Sequence, residues 1–187
     1  MNILRTILLM LVFISPAHSL EWDWYGDETK IILHGDINTG DGAAFQNLME
    51  DSKFDKVTAV VIGPSSGGAV RDAWNIGAVI HLRGLSTFTI GECYSACVVV
   101  AASGAKKYVT SEARLGVHWI SPQAGQYVSA KDASASTQDI YRMMWEYYGL
   151  VGIKADVMMY LQLQAGPDIR VLSKNELSNL GFNVEKY

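Results

Sequence analysis

The sequence predicts an α/β fold with a mainly parallel sheet flanked by helices. Three observations predict it. Apolar runs such as Val57 to Ile62, broken only by Thr58, have the near-continuous hydrophobicity of strands covered on both faces. Stretches such as Ala69 to Arg83 place Ala73, Ile76, Gly77 and Ile80 on one helical face. The order strand, helix, strand, helix, strand, helix is the pattern of right-handed βαβ units.

Taken in order, residues 21–29 form a polar and aromatic lead-in, and Ile31 to Gly35 a strand. Asp41 to Asp51 carries Ala44, Phe45, Leu48 and Met49 at helical spacing. After the Val57–Ile62 strand, Gly63-Pro64-Ser65-Ser66-Gly67-Gly68 is a turn, followed by the Ala69–Arg83 helix. Thr87 to Ile90 is a strand, and Val98 to Ser103 a helix. Lys107 to Val109 and Arg114 to Val117 are two short strands, and residues 119–129, with Pro122 and Gly125, are a loop. Ala130 to Tyr148 is a long helix, and Ile153 to Gln164 another, ended by Gly166-Pro167. Ser173 and Glu176 form a capping box for a helix to Leu180, and Phe182 to Val184 closes as a strand.

The first nineteen residues stand apart. Arg5, the eight-residue apolar run Ile7 to Ile14 and the small-x-small Ala17-His18-Ser19 make a secretory signal peptide, too short to span a bilayer. Residues 20–187 then form one domain, exported to the periplasm or secreted. Loss of Arg5 takes the net charge from -4 to -5, which gives no electrostatic footprint for nucleic acid. An exported chain meets an oxidising compartment, where its two cysteines can pair.

Ser95 sits in Gly91-Glu92-Cys93-Tyr94-Ser95-Ala96-Cys97, between an apolar strand and an apolar helix. A serine at such a corner projects its hydroxyl at a helix N-terminus, where free N–H groups collect negative charge. Its proton needs a base within hydrogen-bond reach, and His118 ends a strand 23 residues later. Two intervening short strands can return that imidazole to the elbow. The oxyanion of acyl transfer needs two N–H donors, for which Gly68 and Ala96 are the candidates. The bland alternatives are a surface serine with a packed histidine, and an ordinary glycine turn at Gly67-Gly68. Cys93 and Cys97 lie four apart, and a bend at the corner brings their sulfurs within bridging range. A loop this short makes the bridge a brace for the elbow. Zinc at these cysteines with His34, His81 or His118 lacks a second paired-ligand motif, so no metal and no cofactor is expected.

Five segments carry a family resemblance. Ser66-Gly67-Gly68-Ala69-Val70, Cys93-Tyr94-Ser95-Ala96-Cys97, Ser103-Gly104-Ala105-Lys106-Lys107, Leu115-Gly116-Val117-His118 and Leu172-Ser173-x-x-Glu176-Leu177-x-x-x-Gly181-Phe182 together resemble the Clp-protease/crotonase superfamily. With its export signal, the chain looks most like the exported Clp-protease-like proteins of Gram-negative bacteria. The resemblance implies ββα units and a Ser-His-Asp peptidase, with Ser95 as nucleophile, His118 as base and Gly68 and Ala96 as oxyanion donors. It implies Asp168 as the third member, about one position out of register, with Asp156 as the alternative. Ser-Ala-Cys replaces the family's usual Ser-Met-Gly. The resemblance also implies ring assembly through the long helix, so the Met143-Met144-Trp145-Tyr147-Tyr148 cluster is expected to divide between core and a homo-oligomer contact.

The function these observations lead to is an exported, ATP-independent serine hydrolase acting on peptides or unfolded polypeptide, with no ATPase partner. The alternative is a non-catalytic Clp-like scaffold or binding module. An acyl-thioester enzyme of the crotonase branch is opposed by the export signal, since coenzyme A is intracellular.

Overall fold

The computed structural model describes residues 20–119 and 130–185. The signal peptide expected over residues 1–19 and most of the loop expected over 119–129 lie outside them.

The chain runs β1 (Glu21–Tyr25), β2 (Asp27–His34), α1 (Asp41–Glu50), a short 3-10 helix (Ser52–Phe54) and β3 (Ala59–Ile62). It continues through α2 (Val70–Leu82), β4 (Ser86–Thr89), β5 (Glu92–Tyr94), α3 (Ala96–Ala101), β6 (Lys107–Val109) and β7 (Arg114–Val117). It closes with α4 (Ala130–Leu150), α5 (Ala155–Ala165), β8 (Arg170–Val171), α6 (Lys174–Asn179) and β9 (Asn183–Val184).

Six strands form the larger sheet in the order β1-β2-β3-β4-β6-β9. β2, β3, β4, β6 and β9 run parallel, and β1 is antiparallel at the edge. β3 is buried along its whole length, as an unbroken Val-Val-Ile run requires between two helical layers. A smaller sheet, β5-β7-β8, stands at the strand ends. Isolated parallel bridges, Ile37 to Gly68 and Ser65 to Cys93, extend its pairing back to the segments that follow β2 and β3. Each unit therefore pairs a strand of the large sheet with a short extended segment at its end, then a helix: β3 with Ser65–Gly68 and α2, β4 with β5 and α3, β6 with β7 and α4. This is the repeated ββα arrangement the resemblance implied.

The core lies between the large sheet and the helices, with Ile31, Val60, Ile76, Ile80, Val98, Leu115 and Met158 almost fully buried. Residues 21–29 are corrected from a polar lead-in to a β-hairpin. Gly26, at φ 77, turns the chain, and the alternating Trp22 and Trp24 side chains pack on Phe54 at 5.2 and 5.1 Å. The aromatic cluster on α4 divides: Met144 and Tyr148 enter the core, while Met143 and Trp145 are 40% and 50% exposed. No helix among the described residues is long and apolar enough to cross a membrane.

Candidate active site

Ser95 is the N-cap of α3, at φ 55 and ψ -124. It is the only non-glycine residue with a positive φ among the described residues. A side chain held there stores roughly 1–3 kcal/mol, which the surroundings must offset. Three constraints supply that support. The Ser95 N–H donates to the Gly116 carbonyl at 2.9 Å, continuing the parallel β5–β7 register that sets Cys93 beside Leu115 and Tyr94 beside Gly116. A disulfide joins Cys93 to Cys97 with their Cα atoms 5.3 Å apart, as the sequence predicted. Gly67 closes the other side: a Cβ there would lie 2.6 Å from the Tyr94 carbonyl oxygen and 2.7 Å from the Ser95 Cβ. Both cysteines are buried, so the bridge forms the floor of the elbow.

The β5–β7 register carries His118 to the serine. His118 Nε2 lies 2.7 Å from Ser95 Oγ, and both side chains are half-buried. This is the contact a general base needs. The ring's strand enters the site through Gly116, where a Cβ would stand 2.8 Å from the Tyr94 ring. Tyr94 itself titrates above the usual phenol range, pushed up first by desolvation and then by its hydrogen bond to the Glu92 carboxylate.

The glycine loop is pinned from both sides. Ser65 donates to the Glu92 carbonyl at 2.8 Å and accepts from Tyr94 at 3.0 Å. Ile37 donates to the Gly67 carbonyl at 2.7 Å and accepts from Ala69 at 2.8 Å. The Asp36 side chain takes the Ser66 N–H at 2.9 Å. Gly68, at φ 126, is exposed, and no acceptor among the described residues takes its N–H. A Cβ on Gly68 would collide with the Ile37 carbonyl. Ala96 is the first residue of α3, so its N–H has no intrahelical acceptor. Two amides suited to an oxyanion thus belong to the two segments that flank Ser95.

The carboxylate is where the structure departs from the triad. Asp168 is exposed, and no hydrogen bond or ion pair links it to His118. It lies between Gly166, whose carbonyl accepts the Trp119 N–H at 2.8 Å, and Arg170, which pairs with Val117. Its segment therefore crosses the end of β7. Asp156, the alternative, sits exposed in the first turn of α5 and makes no bond to His118. Among the described residues no group of three or more His, Cys, Asp or Glu is placed to hold a metal.

Sequence reasoning passed over three positions that shape this site. Gly67 packs on Ser95 more closely than Gly68, Gly116 supplies the carbonyl that fixes the elbow, and Ile37 clamps the glycine loop. Gly67 and Gly116 lay within the Ser66-Gly67-Gly68 and Leu115-Gly116-Val117-His118 motifs without a role assigned to either, whereas nothing local marks Ile37.

No protein-family model matches the chain. No curated protein matches it in sequence. Solved structures do share its fold. A serine-to-alanine mutant of the 1510-N membrane-bound stomatin-specific protease superposes with a TM-score of 0.60 at 15% identity, covering 82% of this chain and 76% of that one. An asparagine-to-aspartate mutant of ClpP1 from Listeria monocytogenes superposes with a TM-score of 0.58 at 17% identity, covering 84% of this chain and 91% of that one. Taken with the ββα units, these likenesses establish that the chain has a Clp-protease-like fold.

Proposed function

We propose that this protein is an exported serine hydrolase that cleaves peptides or unfolded polypeptide without an ATPase partner. The observation that carries the reading is the 2.7 Å contact between His118 Nε2 and Ser95 Oγ, made at the one strained non-glycine residue described. Strained backbone clusters at reactive sites because it aims a side chain out of its element.

The chemistry follows from the positions. As Ser95 Oγ bonds to the acyl carbon, its proton passes to His118 Nε2. The carbonyl oxygen takes negative charge and meets the Gly68 and Ala96 amides. Collapse breaks the acyl–nitrogen bond, and His118 returns the proton to the departing amine. Water activated by the same ring then releases the acyl group and restores Ser95. Asp168 is our choice for third member. Catalytic hydrogen bonds are often long in a free enzyme and tighten when substrate binds, and the segment carrying Asp168 already meets the end of β7.

A serine-directed fluorophosphonate tests the reading. Wild type is expected to be labelled at Ser95, Ser95→Ala not at all, and His118→Ala about 10²–10⁴-fold more slowly. Equal labelling of wild type and Ser95→Ala overturns it. One observation favours a non-catalytic scaffold instead: the His118 ring has no hydrogen-bond partner other than Ser95 among the described residues. On that reading wild type is not labelled, although it is folded.

A further inference from the structure

Leu20 meets the segment beside the glycine loop through a single carboxylate. The backbone nitrogen of Leu20 lies 3.3 Å from Asp41 Oδ2. The same oxygen accepts the Asn38 N–H at 2.6 Å. Asp41 is the first residue of α1, where the helix terminus favours its charge. Asn38 follows Ile37, which brackets Gly67 and Gly68 through bonds to the Gly67 carbonyl and the Ala69 N–H. The Leu20 side chain reaches the same region, lining a small cavity with Ile37, Ser65 and Cys97 behind the elbow.

Leu20 also follows Ala17-His18-Ser19, the small-x-small segment that a signal peptidase cuts. In the unprocessed chain the Leu20 nitrogen is a neutral amide, and 3.3 Å is a long bond for one. Hydrolysis of the Ser19–Leu20 bond consumes one water, leaves the carboxylate on Ser19 and makes the Leu20 nitrogen an α-ammonium. That ammonium carries three donors and a positive charge at a carboxylate already oriented by Asn38.

We propose that Leu20 is the mature N-terminus and that its α-ammonium docks on Asp41, tying the processed terminus to the segment that holds the candidate oxyanion glycine. Removal of the leader then does more than free the chain. It converts a weak neutral contact into a charged one, four residues along the chain from the Ile37 clamp. The docking does not require Ser95 to react, and no step of its test reads catalysis.

The full 187-residue chain is expressed in an exporting bacterial host, and the product is sequenced from its N-terminus. Its amines are then reductively methylated with 13C-formaldehyde and a borane or cyanoborohydride reductant, and the α-amine resonance is titrated by NMR. Besides Asp41, titratable groups on the elements around Leu20 include Asp72, which accepts from Gly40 and Gly42, Glu21 next in the chain on β1, and His34 opposite Glu21 on β2. All three remain in Asp41→Asn, so the difference between the two proteins isolates Asp41. The expected result is Leu20 as first residue and an α-amine titrating about one unit above the ordinary value of about 7.7–8.0, with the shift lost in Asp41→Asn. A different first residue, or an ordinary value in wild type, overturns the proposal. If Asp41→Asn does not fold, the wild-type value still decides.

Discussion

Replacing Gly67 by alanine tests whether the glycine loop and the elbow are one packed unit. Gly67 has φ 99, a conformation that strains any residue with a Cβ by roughly 1–3 kcal/mol. The new methyl would also meet the Tyr94 carbonyl oxygen at 2.6 Å, the Ser95 Cβ at 2.7 Å and the Ala96 nitrogen at 2.8 Å. None of these is the end of a flexible side chain, so the loop and the elbow must separate, at a cost of about 1–3 kcal/mol. The sum is a loss of about 2–6 kcal/mol. Gly84 is the control: its φ is 65, and a Cβ there meets nothing within 4 Å. Gly84→Ala carries the backbone strain alone, about 1–2 kcal/mol. Urea titration followed by tryptophan fluorescence gives both losses, and fluorophosphonate labelling reports the elbow. Because the clash bears on Ser95 itself, labelling of Gly67→Ala is expected to fall even in the folded protein. Equal stability of the two variants, with labelling intact, would refute the packing argument.

Other perturbations reach other parts of the molecule. Removing the disulfide as Cys93→Ala with Cys97→Ala opens a loop with a sequence separation of only 4. Chain entropy then predicts a loss of about 2 kcal/mol in urea titration, with slower labelling because the elbow loses its floor. Tyr147 is half-buried beside Ser103, with the hydroxyls 2.5 Å apart, and desolvation pushes its phenol up to about 12 from 10.0. A phenol raised on folding contributes stability that is complete below the unfolded value and is lost as pH rises toward the folded one. Wild type should therefore lose up to about 2–3 kcal/mol between about pH 10 and pH 12, and Tyr147→Phe should lose less over that range in parallel thermal melts. Asp168→Asn is expected to slow labelling at Ser95 with little change in stability, since Asp168 is exposed. An unchanged labelling rate would remove it from the mechanism and leave a Ser95–His118 dyad.

The sequence exposed the units more readily than their pairing. β3 and α2 were legible because a run buried on both faces and a helical stripe are local patterns. β1 was not: with Trp22 and Trp24 among acidic residues, its alternation reads as polar until Phe54 supplies the apolar partner. β5 and β8 have three and two residues, too few for any periodicity, and exist only because β7 lies between them. The same division runs through the site. Ser95 and His118 stood out because each ends a strand, and a strand end is a local property. What joins them is the register of β5 on β7, a long-range pairing that no short window contains. The place of Asp168 depends likewise on a long-range contact: residues 166–169 cross the end of β7, and the Gly166–Trp119 bond fastens that crossing from outside the motif.

The way Ser95 is held argues that its strain is retained for use. A serine needing only to cap α3 would accept a hydrogen bond from that helix, yet Ser95 makes no side-chain cap bond. Its hydroxyl is instead committed to His118, while its backbone is fixed by the Gly116 carbonyl, the neighbouring disulfide and the Gly67 contact. Forgoing the cap sacrifices about 1 kcal/mol, and the positive φ adds roughly 1–3 kcal/mol more. A purely structural corner could relieve both losses with glycine at this position, since glycine adopts a positive φ freely and is tolerated as an N-cap. Ser95→Gly therefore separates the two roles. If the corner exists for architecture, the variant should match or exceed wild type in urea titration, and nothing of consequence is lost. If the corner exists to present a hydroxyl, the variant should be just as stable, and wild type should be labelled where the variant is not. A large loss of stability in Ser95→Gly would contradict both, and would mean that the Ser95–His118 contact itself holds β7 against the elbow.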